Sequence, residues 1–229
     1  STILLGVGLS KLLGMQKRFG VLTGGAVGIC GASAAMAISS VLPNNKDTER
    51  DTLLTVIGVT AFSTLAMIFY PILAELLSLN STHTSIFLGG TIHDVAQVVG
   101  AGYSVSEVAG DDATLIKLVR VAMLAPIVFV LGALYSRSGR STGKPSFSVP
   151  GFLWVFVLLM VINSLGYLPP TVVSLFQTLS TALLITAIAA IGLRTQPAKL
   201  RGMSRPLLSL IVLETLFIGM LAAALAVWV

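Results

Sequence analysis

Charge is what this sequence has least of: 10% of its 229 residues are Asp, Glu, Lys or Arg, against 55% hydrophobic. A soluble domain of this size carries about 25% charged residues, so a soluble single domain is excluded. The one cysteine, Cys30, lies in an apolar segment, which excludes an internal disulfide and says nothing about redox compartment. The two histidines are His93 and His83, the second in a polar Asn-Ser-Thr-His-Thr-Ser run, and they fall short of the three or four convergent ligands a metal needs. A nucleophile elbow, a Walker-type phosphate loop and an HExxH helix are all missing. Intramembrane hydrolysis and ATP-driven pumping therefore lack their residues, and no enzyme activity, cofactor or metal is expected. The formal charge of +5 comes from short basic clusters between apolar runs, with no aromatic residues interleaved as a nucleic-acid face requires.

What is present is hydrocarbon in lengths of about 20 residues, enough to cross roughly 30 Å of lipid at about 1.5 Å per residue. The runs do not alternate as barrel strands would, so the expectation is an all-α, polytopic membrane protein forming a single transmembrane domain over residues 1–229. Ten residues precede Lys11, about 15 Å of helix, and they read as the tail of a span that begins upstream. About seven complete apolar segments follow: 19–42, 52–79, the segment holding 89–102, 113–136, 149–168, 171–193 and 206–229. If every segment crosses, ten Lys and Arg fall in loops on one side and two on the other. That puts the basic loops at 11–18, 137–144 and 194–205 in the cytoplasm. If the two Gly-rich segments instead turn back on themselves, the balance is twelve to none, so the rule does not separate these topologies.

Within this apolar chain, Gly89 to Gly102 places an imidazole and a carboxylate where lipid should be. In a continuous helix Gly89, His93, Gln97 and Gly100 would share one stripe, with Asp94 beside it. An ionised Asp at the middle of a membrane helix costs roughly 2.5–3.5 kcal/mol, so it turns toward a partner or a wet cavity. The second unusual stretch, Gly24 to Ser33, has glycine at 24, 25, 28 and 31. It fits either a close helix crossing through small residues or a helix interrupted near Gly28 to Gly31, with freed N–H groups and the Ser33 hydroxyl facing an anion. Lys117 and Arg120 share a face of the 113–136 span: Lys117 in position to snorkel to the headgroups, Arg120 deeper. Glu75 reads as an end-of-helix charge, and Glu214 lies inside the last span.

Three motifs in order, Gly28-Ile-Cys-Gly-Ala-Ser-Ala34, Ile92-His-Asp-Val-Ala-Gln-Val-Val99 and Lys117-Leu-Val-Arg-Val-Ala-Met-Leu-Ala-Pro126, with the later Ile191-Gly-Leu-Arg194, give the chain its resemblance to a known family. It resembles the YeiH-type family of bacterial inner-membrane proteins named as sulfate exporters. That resemblance implies a multi-pass protein of the bacterial inner membrane with further helices upstream, built from inverted repeats with broken helices. It favours the interruption at Gly28 to Gly31 and implies a counterpart near Ser180 to Gly192. The expected function is a secondary transporter exporting a small anion, sulfate or a related sulfur oxyanion. Gly28, Cys30, Gly31, Ser33 and the stretch through Gln97 would supply its cavity, Lys117 or Arg120 would compensate the anion, and His93 and Asp94 would couple to protons. An ion pair between Asp94 and Arg120 is expected, against the alternative of a water-facing proton carrier at Asp94. An uncoupled anion channel and a non-transporting membrane scaffold remain as alternatives; a homo-oligomer is compatible with all three readings.

Overall fold

The computed structural model describes residues 1–43, 47–136, 155, 158–159, 161–163, 165–166, 168–194 and 203–228. Among these, α1 spans Thr2–Leu12, α2 Lys17–Gly28, α3 Ala32–Val41, α4 Thr48–Leu76 and α5 Ser81–Thr91. They are followed by α6 (Val95–Val105), α7 (Glu107–Ala122), α8 (Leu124–Ser136), α9 (Pro170–Arg194) and α10 (Arg205–Trp228). The described residues contain no strand. The basic loop expected at 137–144, most of the one at 194–205 and most of the span expected at 149–168 lie outside the described residues.

Among the described residues, three helical stretches are long and apolar enough to cross a membrane: Thr48–Leu76, Glu107–Tyr135 and Arg205–Ala226. Their surfaces are arranged for lipid. On α4 the large side chains Leu65, Ile68, Phe69 and Ile72 are exposed, while Thr55, Gly58 and Ser63 are buried. In water that distribution would be inverted, because burial of large apolar side chains drives folding there; in lipid, small and hydroxyl-bearing residues bring helices together. The centre of the molecule is α2, where Val21 through Val27 are all buried and no polar side remains.

Two polar runs that look like loops in the sequence are helix starts. Asn80 caps α5 by accepting the amide of His83 at 2.8 Å, which makes the polar run around His83 the first turn of that helix. Ser106 caps α7 by accepting the amide of Ala109 at 3.1 Å, so the acidic stretch Glu107, Asp111 and Asp112 is helical, with Glu107 in the first turn, where the helix dipole favours negative charge.

The segment 19–42 is not one helix. It stops at Gly28 and restarts at Ala32, with Gly31 at φ +61°, a left-handed conformation that favours glycine. A Cβ on Gly31 would also collide with the Asp94 carboxylate. The segment holding Gly89 to Gly102 breaks in the same way, between Thr91 and Val95. A second break thus lies at Ile92 to Asp94, and the one expected near Ser180 to Gly192 is not there: α9 runs unbroken. The physical reason lies in the partners: residues 92–94 have side chains and cations nearby that satisfy a free backbone, whereas the small-residue run in α9 satisfies its own i to i−4 bonds.

The glycines of α2 and the turn after it perform both functions that remained open from sequence. Gly31 makes the break, while Gly20, Gly24 and Gly28 let α1 approach until backbones touch: a Cβ at Gly20 would strike the Gly6 carbonyl, one at Gly24 the Thr2 backbone and one at Gly28 the Thr2 side chain. At Gly8, on the same helix α1, an added Cβ would meet nothing within 4 Å. Gly20→Ala should therefore cost about 1–3 kcal/mol by overpacking. Gly8→Ala should be neutral or gain up to about 1 kcal/mol from helix propensity. Thermal melting of the two variants side by side checks this, and equal melting temperatures would refute the close crossing.

Candidate functional site

Breaking a helix inside a membrane frees carbonyls at one end and amides at the other, and each unsatisfied group costs several kcal/mol. At α2 and α5 the freed carbonyls meet on α7. Arg120 donates to Val27 O at 3.0 Å and Gly28 O at 3.2 Å on α2. It also donates to Gly89 O at 3.0 Å, Gly90 O at 2.7 Å and Ile92 O at 3.4 Å on α5 and its break. Lys117, one turn earlier and fully buried, donates to Ile29 O at 2.7 Å and Ile92 O at 2.8 Å. Two cations therefore close two helix C-termini, the end of the helix dipole that a positive charge stabilises. The ion pair expected between Asp94 and Arg120 does not form, because the guanidinium donors go to these carbonyls. Nor does Lys117 reach toward the headgroups: it is held inside by the Ile29 and Ile92 carbonyls.

The freed amides at the other ends face a cavity of about 350 Å³, bordered by Cys30, Ser33, Thr60, Asp94, Gln97 and Val121. At about 30 Å³ per water, it has room for a small tetrahedral ion with several waters. Asp94 is the N-cap residue of α6, yet its side chain does not cap α6. Its Oδ1 accepts the amide of Ala32 at 3.3 Å, at the N-terminus of α3. Its own backbone amide donates to Ser63 Oγ of α4 at 3.0 Å. The spacing Asp94 to Gln97 is that of an N-cap and the third helical residue, which in a capping box bond reciprocally; here neither closes the box. Asp94 Oδ2 and Gln97 Oε1 are both buried without a hydrogen-bond partner among the described residues.

Of the sequence candidates, the structure brings Cys30, Ser33, Asp94 and Gln97 to the cavity and places Lys117 and Arg120 behind it. Gly28 contributes its carbonyl to Arg120 and its bare Cα to the contact with Thr2, and Gly31 its left-handed turn beside Asp94. His93 faces elsewhere. It is fully buried, and its Nε2 lies 3.0 Å from Thr215 Oγ1 on α10. The stripe that would join it to Gln97 requires a continuous helix, and the break at Ile92 to Asp94 turns the two apart. Sequence reasoning missed Thr60, Ser63 and Thr215, hydroxyls that read as neutral in an apolar run. It also gave no role to Glu214, whose buried Oε1 accepts the Thr23 hydroxyl at 2.9 Å. A carboxylate inside a span was the available signal for Glu214; for the hydroxyls there was none.

The family model for Conserved hypothetical protein 698 matches residues 1–210. The chain belongs to this family, the UPF0324 membrane proteins. It is 50% identical over 229 residues to a UPF0324 membrane protein of Chlorobaculum tepidum, covering 99% of this chain and 64% of that relative. It is 46% identical to the UPF0324 membrane protein TauZ of Paracoccus denitrificans, over 95% of this chain and 65% of the relative. It is 35% identical to the UPF0324 inner membrane protein YeiH of Escherichia coli, over 96% of this chain and 64% of the relative. The chain thus spans just under two thirds of the length of these relatives. No solved structure matches it. The resemblance of its motifs to the YeiH type is thereby established as family membership, and the UPF0324 chain is a membrane protein.

Because Arg120 and Asp94 share no hydrogen-bond partner, their substitutions should act independently. Arg120→Gln removes charged hydrogen bonds to five carbonyls and should destabilise by about 3 kcal/mol or more, since bonds to charged groups are worth about 1.5–3 kcal/mol each and do not add fully. In a double-mutant cycle with Asp94→Asn, the coupling should stay within about 0.5 kcal/mol. A coupling of about 2 kcal/mol would restore the ion pair.

Proposed function

We propose that this UPF0324 chain forms the core of a secondary transporter for a small anion, a sulfate or a related sulfur oxyanion, as a multi-pass protein of the bacterial inner membrane. One observation carries the reading: the C-termini of two broken helices are closed by fixed cations, while the N-termini of α3 and α6 face a cavity of about 350 Å³. Free amides and two nearby formal positive charges favour a negative ligand there. Broken helices that meet at a cavity are also how transporters built from inverted repeats hold their solutes. The sulfur oxyanion and the outward direction rest on the sequence motifs that resemble sulfate exporters. The name inner membrane protein borne by the Escherichia coli relative supports the location.

Coupled transport moves the solute uphill. In inside-out vesicles carrying the protein, labelled sulfate, sulfite or thiosulfate should accumulate above its outside concentration when a proton gradient is imposed, and Ser33→Val should cut the initial rate about tenfold, the worth of one hydrogen bond of about 1.4 kcal/mol. Flux that only equilibrates the solute would assign an uncoupled channel. Absence of flux for all three anions would overturn the anion reading.

A further inference from the structure

The α3 N-terminus, where an anion would be received, already holds one. Asp94 Oδ1 takes the Ala32 amide, although Asp94 belongs to the opposite broken helix and stands at the cap position of its own. Its other oxygen, Oδ2, is buried without a donor among the described residues. One helical turn on, Gln97 is 2% exposed, borders the same cavity and presents a buried Oε1 that also lacks a donor. Each is a buried acceptor short of a hydrogen, and a proton taken up on Asp94 Oδ2 would supply one that Gln97, one turn on, can accept. The other groups facing Asp94 supply no such proton in a transferable form. Lys117 and Arg120 on α7 are committed to carbonyls, α4 presents the hydroxyls of Thr60 and Ser63, and Cys30 lies at the α2 to α3 break. His93, next to Asp94 in sequence, is turned to Thr215.

We propose that the Asp94 carboxylate is a tethered competitor of the transported anion: it holds the α3 N-terminus while the site is empty, and it yields that place to the anion when it takes up one proton, which it then donates to Gln97. This rests on the anion reading above and adds to it the coupling ion, the residue that carries it and a stoichiometry of one proton per anion.

The test is sulfate binding to the purified protein in detergent, by calorimetry in weakly buffered solution from mildly acidic to mildly alkaline pH, where sulfate itself stays a dianion. For the wild type, affinity should fall about tenfold per unit rise in pH once Asp94 is ionised, with one proton taken up per sulfate bound. Asp94→Asn should bind with the wild type's acidic affinity at every pH and take up no proton. Gln97→Leu, which removes the acceptor but not the carboxyl, should keep the slope and shift it to lower pH. Sulfate binding by the wild type without proton uptake would overturn the proposal, and so would an unchanged pH slope in Asp94→Asn or loss of binding in an Asp94→Asn protein that still melts cooperatively. In each of these cases the anion reading survives. No sulfate binding by the wild type at any pH would overturn both.

Discussion

Everything in the centre of this molecule depends on the need to satisfy backbone groups that two broken helices release away from water. A continuous membrane helix solves that problem internally; α2 with α3, and α5 with α6, do not. The solution is Arg120, whose planar fork reaches carbonyls on both breaks at once, with Lys117 one turn below it as a point charge between Ile29 O and Ile92 O. A lysine in place of Arg120 would offer three donors from one atom and could not serve all five of these carbonyls. The buried cost of two cations is offset by dipoles and charged hydrogen bonds, so these residues hold the crossing together.

That arrangement has a polarity. Cations are fixed at the C-terminal ends, and the N-terminal ends are left with amides, the hydroxyl of Ser33 and one misplaced carboxylate. A site shaped only for stability would pair Asp94 and Gln97 in their capping box and leave nothing unsatisfied. Two buried oxygens without partners among the described residues, Asp94 Oδ2 and Gln97 Oε1, belong to residues of the cavity wall, and departures from local rules of this kind concentrate where function does.

The frame around the crossing is closely packed for simple steric reasons. Helix α1 lies against α2 through bare glycine backbones, and α10 ties both broken segments to itself with adjacent residues, Glu214 toward Thr23 inside α2 and Thr215 toward His93 at the second break. The last span therefore touches each broken helix through a buried polar contact, and motion at the crossing has to be accommodated by α10 or by the cavity side, where α4 contributes only hydroxyls.

Composition by itself determined that the chain is helical and lives in a membrane, because segment length and the absence of charge are set by the thickness and polarity of lipid and not by tertiary contacts. The same logic singled out Asp94, Gln97, Lys117 and Arg120, since an ionisable or amide group inside a span must have a reason, and glycine at 24, 25, 28 and 31 made a break or a close crossing legible. Tertiary structure decided the rest. It showed that the glycines make both, and that Gly89 to Gly102 is two helix halves, which sends His93 and Gln97 to different sides although their spacing reads as one stripe. It also decided the partners. Arg120 binds carbonyls and not Asp94, and a carbonyl is invisible in sequence because every residue has one; which carbonyls are free is known only once the helix ends have been placed in space.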